Sequence, residues 1–510
     1  MMHGPEKSDL STVAGKPTNN SEGSEAESAE RREGAKGNTV KHGTRRTLSR
    51  GSVFPGLERV RERAGTEKKE RFTALLHHLD VDLLRVAFSW LKRDAAPGVD
   101  GQTWRQYEQS LESNLADLHA RIHRGAYRAL PSRRKFIPKE DGRQRPLGVA
   151  SLEDKIVQRA VVEVFNAIYE EDFLGFSYGF RPGRGQHDAL DALAVGITQT
   201  KVNWILDVDL RSFFDTVSHD WLVRFIEHRV GDPRMIRLIR KWLKAGVMED
   251  GEWTASEVGT PQGAVISPLL ANIYLHYVFD LWAERWRHHN AHGNVILVRY
   301  ADDIVAGFEH GSDAERFLAE MRERVEKFAL SLHPHKTRLI EFGCNAARDR
   351  VSRGLGKPET FNFLGFTHIC GRSRRGAFQL QRRTRRDRMR AKLRELKAAL
   401  KQRMHEPIPQ QGRWLARVIR GYFAYHAVPT NSRRLSAFHY HVLVLWRRTL
   451  RRRSQKDWTT WERISRLARD YLPAPRILHP WPSIRFTVKH PRWEPGARIA
   501  PAGICAGGAR

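Results

Sequence analysis

The stretch Val298-Arg299-Tyr300-Ala301-Asp302-Asp303-Ile304-Val305 leaves a chain few folds to choose from. Two adjacent carboxylates sit between apolar, β-favouring flanks. Val295–Val298 reads as one strand and Ile304–Phe308 as the next. Ala301-Asp302 then falls at a hairpin turn, with acidic side chains at a tight, exposed tip. Like charges this close repel, and a bound cation keeps both ionised. Taken alone, the pair fits an ordinary turn better, because Asp favours turns for local hydrogen-bonding reasons.

A third carboxylate lies upstream. Residues 202–208 read as a buried strand leading into Asp209, followed by Phe213, Phe214 and Asp215. Helices are predicted at 219–230 and 234–245. Gly259-Thr260-Pro261-Gln262-Gly263 is a loop opening a long helix with an apolar stripe from Ile266 to Leu281. A strand, then helices, then a hairpin is how a mixed sheet brings distant carboxylates to one edge. Asp207 is one side-chain period from Asp209 and faces the same side. Hard oxygen donors at a shared edge suit Mg²⁺. Two such ions about 3.5–4 Å apart can clamp the attacking and leaving oxygens of an in-line phosphoryl displacement.

The surroundings are basic. Residues 132–139 and 143–149 flank Glu140-Asp141-Gly142 and read as a basic hairpin. Ser177–Gly185 is a Gly- and Arg-rich loop able to approach a phosphate backbone. The whole chain carries 88 Lys+Arg against 58 Asp+Glu, a formal charge of +30. Such a balance attracts polyanions, nucleic acid first among them. No apolar run is long enough to span a bilayer. Cys344, Cys370 and Cys505 have neither zinc-site nor disulfide spacing. A cytoplasmic protein with no membrane partner is expected.

Further motifs complete a series: IPKxxGRQRPLGV, SYGFRPGRGQHDAL, DVDLRSFFDTVSHDWL, GTPQGAVISPLLANIYL, RYADDIVAGF, HPHKTRL and FNFLGF, in that order between residues 137 and 366. The series resembles the reverse transcriptase of group II introns, the intron-encoded reverse transcriptase/maturase family, over about residues 70–450. The resemblance implies an α+β fold: a right-hand polymerase, with fingers and palm around an antiparallel sheet and an all-helical thumb. The expected divisions are a disordered leader (1–65), a helical N-terminal extension (66–130) and a fingers and palm core (131–345). The end of the palm with the primer-grip region (346–379), a helical thumb/maturase domain (380–453) and a basic Trp/Pro-rich tail (454–510) follow, the tail expected to be largely irregular.

The resemblance also implies roles. Asp209, Asp302 and Asp303 would hold two Mg²⁺ ions, with Asp302 the stronger ligand of its pair and Asp207 outside the set. Phe214 would stack under the nucleotide sugar and exclude a ribose 2′-hydroxyl. Lys139 and Arg145 would hold the triphosphate, and Gln262 and Gly263 would lie against the templating base pair. Lys336 would give a proton to departing pyrophosphate, and residues 363–366 would support the primer. Arg382, Arg383, Arg385, Arg386, Arg447 and Arg448 would grip RNA through phosphate and 2′-hydroxyl contacts. The activity implied is RNA-directed DNA synthesis from dNTPs on an intron RNA template and a DNA primer or target, with help to intron splicing and retromobility. Two other readings fit the same motifs less well: an RNA-binding splicing cofactor on an inactive polymerase fold, and a diversity-generating or defence-associated reverse transcriptase. With no paired cysteines after Leu450, a C-terminal metal-dependent nuclease of the kind many relatives carry is not expected.

Overall fold

The computed structural model describes residues 54–138, 144–249, 252–255, 258–260, 263–453 and 459–489. Structure begins earlier than the composition suggests. Helix α1 (Pro55–Thr66) starts on a proline and buries Ala64, so the leader expected to run disordered to residue 65 is already helical at Pro55. Charge dominates this segment, but Leu57 and Val60 reach the main core at helical spacing. The buried Arg229 donates to the Ala64 and Glu67 carbonyls at 3.1 and 2.9 Å, closing the helix end.

The expected helical extension follows as α2 (Val81–Trp90), α3 (Trp104–Glu108) and α4 (Leu111–His123). The Asp80 carboxylate caps α2 by accepting from the Leu83 N–H at 2.7 Å. Strands β1 (Ser132–Pro138) and β2 (Gln144–Val149) pair antiparallel as the basic hairpin, with Arg133 opposite Val149. Its Asp-Gly turn lies outside the described residues.

Helices α5 (Leu152–Asp172) and α6 (Gln186–Gln199) lead into β3 (Trp204–Asp209). Then come α7 (Phe213–Thr216), α8 (His219–Glu227) and α9 (Pro233–Lys244). Strands β4 (Val247–Glu249) and β5 (Glu252–Thr254) are too short to show periodicity in the sequence. They join the hairpin in a sheet of order β2-β1-β4-β5. The long helix is observed as α10 (Ser267–Leu275), a π turn at His276–Asp280, and α11 (Leu281–His289).

Strands β6 (Val295–Tyr300) and β7 (Asp303–Phe308) form the expected acidic hairpin. Helix α12 (Gly311–Glu326) and β8 (Arg338–Glu341) complete an antiparallel sheet of order β6-β7-β3-β8. This sheet is covered on both faces. Val295, Leu297, Ile304, Ala306, Leu206 and Val208 enter the large core shared with α5, α10 and α12. Ile296, Val298, Val305 and Ile205 enter a second core with α6. Strand alternation therefore sends Asp207, Asp209 and Asp303 to the second face and Arg299 to the first.

Helix α13 (Cys344–Ser352) precedes β9 (Phe361–Phe363), β10 (Phe366–Arg372) and β11 (Phe378–Thr384), a sheet of order β11-β10-β9. Leu364 and Gly365 both take positive φ, 44° and 78°, as a two-residue hairpin loop of the I′ kind requires. Helices α14 (Arg386–Gln402), α15 (Ile408–His426), α16 (Ser432–Arg451) and α17 (Trp461–Tyr471) share a third core around Leu400, Leu415, Phe438 and Trp446. Two readings are corrected. Arg382 and Arg383 lie in β11, so the helical region begins at Arg386 rather than near 380. Over its described residues, 459–489, the tail expected to be largely irregular supplies α17 and α18 (Pro482–Lys489). Pro473, Pro475, Pro480 and Pro482 fall before or at the start of α18, where no helical N–H is lost.

Candidate active site

The sheet register builds the site. Asp209 at the end of β3 stands opposite Asp303 at the start of β7, and Tyr300 stands opposite Asp303 on the other side. Residues opposite one another in antiparallel strands lie about 5 Å apart at Cα. Ala301 and Asp302 form the loop between β6 and β7, and Ala301 has φ of 55°. Positive φ at the first loop position is a glycine preference, so an alanine there stores strain.

The local electrostatics are those of crowded anions. Asp303 is open to water on one side, yet its carboxyl is pushed up to about 7. Burial is the largest cause, followed by the charges of Asp302, Asp209 and Asp207, and Arg388 of α14 opposes them. Asp207 is raised to about 6, mainly by burial, with Arg338 pulling the other way from 3.7 Å. Lys336 Nζ lies 3.1 Å from Asp209 Oδ2. The Asp209 carbonyl accepts from the His333 N–H at 2.8 Å, which ties the Lys336 loop to the end of β3.

Among the described residues, no three His, Cys, Asp or Glu side chains close into a metal cage. The donor set still fits a hard divalent cation. Mg²⁺ uses one or two carboxylates and takes its remaining positions from water and substrate phosphates, so no preformed cage is needed. The anionic crowding at Asp303 is the feature a cation would relieve.

The other expected residues divide. Phe214 is half-buried, its ring 5.3 Å from that of Phe213. Its carbonyl accepts from the Thr260 N–H at 2.8 Å, which docks the Gly259 loop beside it. Gly259 has φ of 83°, and a Cβ there would meet the Phe214 carbonyl at 2.8 Å. Gly263 has φ of 104°, and a Cβ would meet the Gly148 carbonyl at 2.7 Å. Only glycine lets this loop close on the basic hairpin. Lys139 and Gln262 fall outside the described residues, as does the side chain of Arg145, whose backbone pairs with Ile137. Phe363 and Phe366 are buried in the second core, so these rings do not face a primer.

The arginines separate likewise. Arg382 is corrected from an RNA contact to an internal residue: it is 2 % exposed and its Nη1 donates to Asp191 Oδ1 at 3.0 Å. In β11 it shares a face with Leu380 and Thr384, which are also buried, and so faces inward. Arg383 and Arg385 are half-buried, hydrogen-bonded to Gln381 and ion-paired with Asp387 respectively. Arg386 and Arg448 are exposed. Arg447 stacks on Trp461 at 4.9 Å and donates to the Thr459 carbonyl. Sequence reasoning passed over Asn272, Asp280 and Arg299, which pack behind the acidic turn. Arg299 adjoins the acidic pair in sequence, but nothing in the spacing shows that its partners lie in the long helix. Among the described residues no helix is long and apolar enough to cross a membrane.

Comparison with known proteins agrees with this geometry. The family profile described as "Reverse transcriptase (RNA-dependent DNA polymerase)" matches residues 137–368. Protein YkfC of Escherichia coli is 35% identical over 319 residues, 56% of this chain and 78% of that protein. The group II intron-encoded protein LtrA of Lactococcus lactis is 34% identical over 222 residues, 43% of this chain but 37% of that protein. A 91 kDa protein in the cob intron of Schizosaccharomyces pombe is 36% identical over 202 residues, 39% of this chain and 24% of that protein. The class defined here is an RNA-directed DNA polymerase, a class that works with divalent metal ions and with RNA and DNA substrates. The chain belongs to the group II intron reverse transcriptase/maturase family.

Proposed function

We propose that the chain copies a group II intron RNA into DNA by nucleotidyl transfer from dNTPs to a primer 3′-hydroxyl, and that it also assists splicing of that RNA. The sheet β6-β7-β3-β8 is then the palm, the β1–β2 hairpin the fingers, and α14–α16 the thumb. The observation that carries this reading is the register placing Asp209 opposite Asp303, with Asp302 on the adjoining turn. Two Mg²⁺ ions bound there would acidify the 3′-hydroxyl and steady the triphosphate and its leaving group.

The chain's own groups do the rest. Asp209, Asp302 and Asp303 supply oxygen ligands, Asp302 the more important of its pair. Lys139 and Arg145 hold the triphosphate, and Gln262 and Gly263 bound the templating base pair. Lys336, whose Nζ lies 3.1 Å from Asp209 Oδ2, would leave that carboxylate for the departing pyrophosphate and protonate it. Exposed Arg386 and Arg448, with Arg383, Arg385 and Arg447 adjacent, track the RNA backbone without reading sequence.

Primer extension on RNA and DNA templates with Mg²⁺ tests the polymerase; no extension on a primed RNA leaves a splicing cofactor as the remaining reading. The ring of Phe214 gives a sharper test. Phe214→Val should lower the preference for dNTP over rNTP roughly 10- to 100-fold, the range set by small steric differences in a pocket. An unchanged ratio of kcat/KM values would show that the ring is not the sugar gate.

A further inference from the structure

Directly behind the acidic turn lies a charged side chain with no access to water. Arg299, on the opposite face of β6 from Tyr300, is 0% exposed. A guanidinium offers five N–H donors, and here each has a partner. Nε donates to Asp280 Oδ1 at 2.7 Å and Nη2 to Asp280 Oδ2, a bidentate fork. Nη2 also donates to Ser177 Oγ at 2.7 Å, and Nη1 to Asn272 Oδ1 at 3.0 Å. The fifth bond is the telling one: Nη1 donates to the carbonyl of Ala301 at 3.1 Å.

Ala301 is the strained residue of the acidic turn, with φ of 55°. Its backbone is pressed from below as well. A Cβ on Gly179 would lie 2.3 Å from the Ala301 nitrogen, so only glycine lets the Ser177–Phe180 segment come this close. Asn272 Nδ2 donates to the Gly179 carbonyl at 2.6 Å, so one side chain holds both Arg299 and Gly179. The Ser177 segment is further tied to β6: Tyr178 N–H donates to the Arg299 carbonyl at 2.8 Å, and Arg299 N–H to the Phe176 carbonyl at 2.9 Å. Asp280 reaches Arg299 from the last residue of the π turn, a local widening that re-aims side chains and is frequent at functional sites. His276, one turn earlier, is pushed down to about 4, chiefly by burial, and so stays neutral. The charge opposite Asp280 is therefore that of Arg299.

We propose that Arg299 is a positioning residue for polymerisation: with Asp280 and Asn272 it clamps the Ala301 carbonyl and so fixes the angle at which Asp302 and Asp303 are presented. Every group in the clamp is satisfied internally, and none reaches substrate. Its output is the geometry of a turn that an alanine would otherwise leave. A lysine cannot replace it, having a point charge and no fork.

The proposal rests on the reading of Asp302 and Asp303 as the catalytic carboxylates, and the test separates the two. Single-nucleotide incorporation on a primed RNA is measured with the full chain for Arg299→Lys, Asn272→Ala and Asp302→Ala. Arg299→Lys should lower kcat about 100-fold, the usual loss for an ångström-scale misplacement of reacting groups. KM for dNTP and affinity for primed RNA should stay within about threefold, since the clamp touches neither. Adding Ala301→Gly to Arg299→Lys should recover about tenfold in kcat, because glycine holds the positive φ without a clamp. Wild-type kcat in Arg299→Lys overturns the proposal. So does a loss of kcat matched by lost RNA affinity, or one that Ala301→Gly does not relieve. If Arg299→Lys is recovered unfolded, Asn272→Ala decides, since it strands no charge: an unchanged kcat overturns the clamp and a roughly tenfold fall supports it. Full activity in Asp302→Ala would instead sink the reading of the site itself.

Discussion

Asp302→Ala combined with Asp303→Ala should abolish dNTP incorporation, by about 10³-fold or more, while affinity for primed RNA should stay within about threefold. The first half follows from the donor set. Asp209 alone cannot hold a divalent cation against a lysine already 3.1 Å from its Oδ2. The second half follows from the proposed division of labour, in which exposed Arg386 and Arg448 on α14 and α16, and not the acidic turn, would hold the RNA. A third outcome separates a catalytic from a structural role. Asp303 is crowded by three other carboxylates, and burial adds to its cost as an anion. Removing Asp303 and its neighbour Asp302 takes away two of the four crowded charges and relieves repulsion, so the double variant should melt no lower than wild type, as active-site residues that trade stability for function often show. Taken singly, Asp302→Ala should cost more activity than Asp303→Ala. Residual incorporation above roughly one per cent of wild type, by the same order-of-magnitude reasoning, would remove these residues from the site.

The acidic hairpin was legible in the sequence because its two flanks are apolar on both faces, and a strand buried on both sides reads as an unbroken apolar run. Asp209 was legible for the same reason: it ends such a run. Local chemistry also announced the basic hairpin and the glycines at 259 and 263, whose positive φ values only a glycine meets without strain. What stayed hidden depends on partners far away in sequence. Arg382 looks like its neighbours Arg383, Arg385 and Arg386, and only the β11 register turns it inward onto Asp191. Arg299 looks like a charge on a strand until the π turn delivers Asp280 to it. The helix at Pro55–Thr66 was masked by its composition, since two apolar side chains and a distant arginine suffice to dock it. In each case the fold gives a charge an internal partner that lies far away in sequence, where charges are usually exposed.

Asp191 carries the largest expected effect on stability. It lies on α6, 1% exposed, and accepts from two arginines at once. Arg382 Nη1 reaches Oδ1 from β11 at 3.0 Å, and Arg485 Nε reaches Oδ2 from α18. Arg485 also meets His479 Nδ1 at 2.9 Å, and the rings of His479 and His187 stack at 4.1 Å. The segment before α18 is sewn to the end of α15, with the Leu478 and His479 N–H groups donating to the Ala427 carbonyl at 2.9 and 3.1 Å. Residues 477–489 thus strap the C-terminal helices to α6, and one carboxylate bridges two guanidiniums at the crossing point. Asp191→Ala leaves a buried guanidinium without its anion, at a cost of about 3–5 kcal/mol. His187 beside them is held well below its usual range, first by burial and then by the charges around it, so it is neutral and supplies no anion in place of the carboxylate. The α18 amides should lose hydrogen-exchange protection, and trypsin should cut at Arg485 sooner than in wild type. Asp191→Asn, which keeps the shape but not the charge, should fall between the two. Unchanged protection in α18 with an unchanged melting temperature would mean the two arginines find other partners, and the strap is held by Phe486 and its apolar neighbours alone.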